Sequence, residues 1–230
     1  MSNLFHILLI QPLFNALIGF YNTIAFRDMG LAIILLTIAV RFVLYPLFYH
    51  GLKNQAMMQK IQPHIEEIQK KHKDDKEKQA LEMMALWKEH KVNPFSGFLL
   101  LLVQLPIILA IYRVFLDGVS EKALEGLYSF VSAPEVLNNT FLGVVDLSSK
   151  SMIIVVLATA AAYIQGRMAI PKGNSKSAEI GKKMSLIAPA IILVILLNFS
   201  SAIGLYILTT TVFSIFQQAV INKKIHGSTA

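Results

Sequence analysis

The sequence has 230 residues, 55% of them hydrophobic and only 15% charged, where an ordinary soluble domain carries about 25% charged residues. Its mean hydropathy is +0.58 and the apolar residues lie in long runs, which excludes a water-soluble globular chain and points to a multi-pass membrane protein. Zero cysteines exclude a disulfide framework, a thiolate metal site, a thiol nucleophile and a lipidated cysteine; the net charge of +7 fits several partners, so its placement matters more than its size.

Residues 1–28 are apolar but carry Gln11, Asn15 and Asn22, which fall within roughly 40° of one another on a helical wheel. A polar stripe on a short apolar helix reads as a helix lying in the membrane interface on the outer face. A sixth span is the alternative, with Arg27 and Asp28 as a very tight turn. No Lys or Arg precedes Arg27, so the basic region of a cleaved signal peptide is missing. Five stretches then reach the length of about 20 apolar residues that a span needs: 29–50, 95–116, 151–170, 184–200 and 202–221. The fourth contains Pro189, and it meets the fifth in a tight helical hairpin. Ala158, Ala162 and Gly166 repeat at four-residue spacing on the third, as helix-packing positions do.

Charge sets the expected orientation. The segment 51–94 has nine Lys, 171–183 has four, and the tail 222–230 has Lys223 and Lys224, together 15 of the 21 basic residues. The loop 117–150 has only Lys122 and Lys150 against five carboxylates. The basic segments are therefore expected in the cytoplasm and the acidic loop outside, with the N-terminus outside and the C-terminus in. The segment 51–94 also has helical apolar periodicity: Met57, Met58, Ile61, Ile65 and Ile68 make one stripe, and Ala80, Met84 and Trp87 another. The charged run from Lys70 to Lys76 between them reads as a turn. The segment is thus expected to be an antiparallel helical hairpin, a platform for partners or arriving polypeptide; the plainer reading is that its stripes only pack on each other.

Arg41 is the most informative residue. It lies twelve residues after Met29 in the first expected span and eight before Tyr49 near its cytoplasmic end, ~12 Å deep at 1.5 Å per residue. A central arginine costs on the order of 2.5–3.5 kcal/mol on insertion scales, and such residues face a bundle interior or an aqueous cavity; snorkelling is the alternative. None of the five expected spans contains Asp or Glu, so its counter-charge is water or a group from elsewhere. Thr37 lies one turn before it. Gln104 sits mid-way along the second span, and Tyr206, Thr210, Ser214 and Gln217 form a polar strip on the fifth. Together these residues are expected to line a hydrophilic cavity. No catalytic residues are expected: the glycines and lysines of 173–183 lack phosphate-loop spacing, the six histidines lack metal-ligand spacing, and no membrane-embedded serine has a base. No cofactor, metal or specific nucleic-acid site is expected.

Over almost the whole chain the sequence resembles the YidC/Oxa/Alb family of membrane protein insertases. The motifs are Ile33 to Arg41 followed by Tyr45-Pro46-Leu47, Lys60 to Pro63, Glu82 to Lys88 leading to Val92-Asn93-Pro94, Val103 to Ile107 with Ile111-Tyr112-Arg113, and Phe213 to Gln218. The resemblance implies an all-α fold of five transmembrane helices around a hydrophilic groove, with an interfacial helix and a cytoplasmic hairpin, in a bacterial plasma membrane. It implies Arg41 as the groove arginine, Thr37, Gln104 and the Tyr206 strip as groove walls, and Met57, Met58, Ile61, Ile65, Met84 and Trp87 as a recruiting hairpin. Implied partners are nascent membrane proteins and membrane lipids, with the Sec translocon, the signal recognition particle pathway and the ribosome as further candidates. The sequence departs from the family at Phe199-Ser200-Ser201-Ala202, where Pro and Gly are common, and at Phe98, where many members have a small residue or Cys.

The expected function is therefore insertion of nascent membrane proteins through a groove, without nucleotide hydrolysis and not as an enzyme. A small transporter or channel for an anionic solute at Arg41 is the competing reading, although the halves show no internal repeat. A passive chaperone acting through the hairpin is a third.

Overall fold

The computed structural model describes residues 3–116, 126–168, 170 and 176–227. They form eight helices longer than ten residues and one small β-hairpin. A short turn of helix, Asn3–Phe5, and a π-helical turn, His6–Ile10, lead into α1, Gln11–Thr23. Ala25, Met29, Ala32, Ile33 and Leu36 then carry the buried core from α1 into α2, Met29–Val43. Asp28 starts α2: its Oδ1 accepts from the Leu31 amide at 2.8 Å, satisfying one of the free N–H groups of a first turn. Its Oδ2 accepts from the Leu142 amide at 2.6 Å, so one carboxylate joins a helix start to a distant loop.

The first apolar run is not one straight span. It breaks at Leu44 and resumes as α3, Tyr45–Lys71, with a bend of 73° between the two helices. Pro46 is the cause: it lacks an N–H and its ring would crowd the carbonyl of Phe42, four residues back. Two expectations change with it. Arg41 lies in the last turn of α2 rather than eight residues from a helix end. The first hairpin helix starts at Tyr45, not at 51. It is continuous through Pro63 to Lys71, and the expected turn shrinks to residues 72–75.

In α4, Lys76–Glu89, the Asp75 side chain accepts from the Lys78 amide at 3.0 Å. α3 and α4 pack through Ile61, Ile65, Leu86 and Val92, with Met57, Met58, Ile68, Met83 and Trp87 around them. The first expected stripe is therefore the packed one. The second is rotated: Ala80 and Met84 face outward and Leu86 is the buried residue. Ala80, Met84 and Trp87 share helical spacing with Met83 and Leu86 one residue out of phase, and the fit to α3 selects the latter face.

α5, Ser96–Leu116, has 21 residues and a length of about 31 Å. After it, the hairpin β1, Thr140–Phe141, and β2, Val145–Asp146, is antiparallel with Phe141 opposite Val145. Leu142 and Gly143 turn it with φ of 53° and 68°. Phe141 lies against Gly30 of α2, where any Cβ would collide with its ring. α6, Met152–Met168, has the small residues Ala158, Ala161 and Ala162 buried. Two glycines mark its contacts: a Cβ on Gly204 would sit 2.7 Å from Ile154, too close to fit unmoved, whereas one on Gly166 would make ordinary contact, 3.5 Å from Ser185 of α7, Lys176–Leu196. The expected packing role of Ala158, Ala162 and Gly166 holds.

α7 starts eight residues before the expected fourth span, because the polar residues read as loop continue its helix. Residues 197–200 join it to α8, Ser201–Gly227. The two are not a packed hairpin: α6 lies against both, and α7 and α8 scarcely meet. At the Ser200-Ser201 departure, the Ser201 amide and hydroxyl donate to the Ser149 carbonyl at 2.8 and 2.7 Å. The Ala202 amide donates to that of Leu147 at 3.1 Å. A hydroxyl thus fastens this turn to the loop. Phe98 lies outside the described side chains, and Lys122 and residues 171–175 outside the described residues.

The outer stripes of the helices remain uncovered. Leu99, Leu102, Leu105 and Leu109 on α5, Val156 and Ile164 on α6, Ile191 and Val194 on α7, and Phe216 on α8 are exposed. Apolar surface on so many sides of a bundle exceeds what a water-soluble monomer leaves open and suits a lipid surround. Among the described residues, Ser201–Lys224 is by itself long and apolar enough to cross a membrane; the bent α2–α3 pair passes the same test together, and Met152–Met168 and Ser185–Leu196 are shorter apolar helices.

Candidate functional site: a buried polar centre on α8

α8 carries the polar strip of the fifth expected span inside the bundle. Tyr206, Thr210, Thr211, Ser214, Gln217 and Gln218 are all buried. α2 and α5 each contribute one long polar side chain to it. Arg41, 6% exposed, donates from Nε to the Thr210 hydroxyl at 2.6 Å and from Nη2 to the Thr210 carbonyl at 3.1 Å. Gln104 donates from Nε2 to the Tyr206 hydroxyl. Ser214 donates to the same Thr210 carbonyl at 2.9 Å. Thr210 is thus the hub that receives the arginine.

The guanidinium is incompletely satisfied. Its Nη1 is buried and has no hydrogen-bond partner. The ion pairs among the described residues, Lys71–Glu82, His72–Glu82 and Lys78–Asp75, are all at the hairpin tip, so none of the described carboxylates pairs with Arg41. The face of the Phe48 ring, 4.1 Å from the guanidinium carbon, covers it instead. A cation over an aromatic face is attracted to it without being neutralised. Gln217 repeats the pattern, with both amide atoms buried and unpartnered, and so does Gln218 at Nε2. Buried polar atoms without partners are uncommon and need an explanation such as water or a ligand.

The chain matches the model of the family described as 60Kd inner membrane protein over residues 19–228. It belongs to that family. Among its relatives are proteins named membrane protein insertase YidC. That of Nitratidesulfovibrio vulgaris is 33% identical over 219 residues, 93% of this chain and 38% of the relative. That of Geobacter metallireducens is 31% identical over 225 residues, 97% and 38%. That of Clostridium tetani is 33% identical over 196 residues, 85% of this chain and 82% of the relative. The chain therefore spans 38% of the length of the first two and most of the third.

In this member of the 60Kd inner membrane protein family, the predicted residues come together on α8 as a group of three, Arg41, Thr210 and Ser214, and a pair, Gln104 and Tyr206. Gln217 lies on the same helix face, seven residues from Thr210. Thr37 is buried, but its hydroxyl donates to the Ile33 carbonyl of its own helix at 2.7 Å and makes no bond to Arg41. Of the hairpin residues, Ile61 and Ile65 are core, Met57, Met58 and Trp87 are half-buried around them, and Met84 is exposed. Sequence reasoning missed Phe48 and Gln218. Phe48 is seven residues from Arg41, a same-face spacing on a helix, but its neighbourly position arises only because the chain turns at Leu44.

Proposed function

We propose that this chain is a membrane protein insertase, in which the polar centre on α8 is the wall of a hydrophilic groove used by nascent membrane proteins entering from the cytoplasm. The observation that carries it is the Arg41 guanidinium, buried among lipid-facing helices with Nη1 free and no ion pair among the described residues. The names of the relatives support it. In this reading five spans surround the groove: the first is 29–50, broken at Leu44, and the others are 95–116, 151–170, 184–200 and 202–221. The α3–α4 hairpin projects into the cytoplasm and meets the arriving chain, and the loop after α5 lies outside.

The chemistry follows from the arginine. A segment with an acidic polar flank reaches the groove, and Arg41 attracts its carboxylate. At an effective dielectric near 20 two unit charges 4 Å apart attract by about 4 kcal/mol, four times the value in water. Gln104, Tyr206, Ser214 and Gln217 offer hydrogen bonds that replace water along the flank, lowering the cost of bringing it into the bilayer. The apolar segment then leaves sideways into lipid, and its transfer out of water drives the process with no nucleotide.

Insertion into proteoliposomes tests this. Arg41→Glu is expected to slow insertion of a substrate with an acidic flank by at least tenfold while sparing one whose flank is neutral. Equal rates for wild type and Arg41→Glu on the acidic substrate would end the proposed role.

A further inference from the structure

A second site lies at the other end of α2 from Arg41. A cavity of about 830 Å³ separates α1 from the segment 128–136, lined by Asn15, Gly19, Arg27, Tyr128, Phe130 and Glu135 among others. Its volume is in the range of small-molecule sites. The walls are pinned on both sides. Asn15 donates to the Gly126 carbonyl at 3.0 Å and accepts from the Tyr128 amide at 2.6 Å. Asn22 donates to the Ser132 carbonyl at 2.7 Å, and the Tyr21 hydroxyl donates to the Val136 carbonyl at 3.1 Å and accepts from the Asn138 amide at 2.9 Å. The space between these ties stays open.

Gly19 is the clearest sign that the opening is not a packing accident. A glycine inside a helix costs up to about 1 kcal/mol against alanine, and packing does not demand this one: a Cβ there would meet nothing within 4 Å. Its absent side chain leaves the cavity wider.

The charges and the rim identify an occupant. Arg27 and Glu135 line the same cavity yet make no ion pair, those of the described residues being elsewhere. One cation and one carboxylate in one cavity complement a ligand bearing both signs. Ile24, Phe26, Phe130 and Val136 are exposed around it. Phe26 and Arg27 hold the left-handed conformation at φ of 53° and 60°, which is costly for residues with a Cβ and leaves the Phe26 ring 87% exposed. Directly after Asp28 the chain enters the apolar α2, so the cavity stands where the bilayer interface begins.

We propose that this cavity binds the headgroup of a zwitterionic phospholipid, its phosphate on Arg27 and its primary ammonium on Glu135, with the acyl chains passing over the exposed apolar rim. The site requires α2 to enter the bilayer at Met29, as in the reading above, but not that the protein inserts substrates.

Lipid retention by the purified full chain tests it, with phosphatidylethanolamine, phosphatidylcholine and phosphatidylglycerol of the same acyl chains as probes, read by native mass spectrometry. Wild type is expected to retain phosphatidylethanolamine about tenfold better than the other two, the worth of one charge-assisted hydrogen bond. Gly19→Leu, which fills the space, and Arg27→Gln should remove this retention, and Arg27→Lys should restore most of it. Glu135→Gln should make ethanolamine and choline lipids equal. Arg41→Glu should keep full retention, which separates failure of this site from failure of the insertase reading. Retention of phosphatidylglycerol equal to that of phosphatidylethanolamine, an unchanged ethanolamine preference in Glu135→Gln, or wild-type retention in a folded Gly19→Leu would overturn the proposal.

Discussion

The two ends of α2 treat polar side chains in opposite ways. At the α1 end, Gln11, Asn15, Asn22 and Tyr21 spend their hydrogen bonds on the backbone of 126–138, more than 100 residues away. At the Arg41 end, buried polar atoms of Arg41, Gln217 and Gln218 remain without partners. Satisfied groups stabilise a fold, whereas unsatisfied buried ones are a cost that some other requirement maintains. The comparison separates polar residues that hold the molecule together from those held ready for something outside it.

Substitutions at the two ends should therefore move stability and activity in different directions. The largest stability effect is expected for Asn15→Leu, which strips the Tyr128 amide of its acceptor and should cost about 2–3 kcal/mol, read as a lower Tm in detergent. Tyr21→Phe, which frees the Val136 carbonyl and the Asn138 amide, should cost about 1–2 kcal/mol in the same measurement. Arg41→Met should reverse the pattern. Replacing a buried charge by an apolar side chain of similar length is often neutral or stabilising, so Tm should change by less than about 1 kcal/mol in equivalent free energy while insertion of acidic-flank substrates falls. A Tm loss in Arg41→Met as large as that in Asn15→Leu would dissolve the distinction.

The smallest effect concerns the hairpin tip. The Glu82 carboxyl is held below the ordinary range, first by its hydrogen bond from Lys71 and then by His72, with Lys71 Nζ at 2.9 Å. A lowered carboxyl pKa gives stabilisation that is full above the unfolded value, about 4.3 for glutamate, and is lost as pH falls through the folded value. The protection of amides 72–78 against exchange, relative to the unfolded chain at the same pH, should therefore fall below about pH 4.5 in wild type. Glu82→Gln should show the lower protection across the whole range; a wild-type profile in that variant would remove the tip pairing from the account.

Much of the polar centre was legible because membrane helices make polar residues conspicuous: Arg41, Gln104 and the α8 strip stand out against hydrocarbon. What sequence did not convey was partnership over distance. The Gln11–Asn15–Asn22 stripe has the signature of an interfacial helix, and its actual partners are carbonyls and an amide in a loop that no local pattern links to it. The break at Leu44 was foreshadowed by Pro46, but the uninterrupted apolar run outweighed a single residue. The orientation of α4 turned on one residue of phase, a choice made by packing against Ile61 and Ile65 rather than by periodicity.

The elbow at Leu44 has a mechanical consequence. Arg41 lies on one side of the pivot and Phe48 on the other, and the ring rests on the guanidinium. One arm of the hairpin is the helix that carries Phe48, so the ring that covers the Arg41 charge and the tip near Lys71 belong to a single element, some 35 Å apart along the helix by its rise per residue.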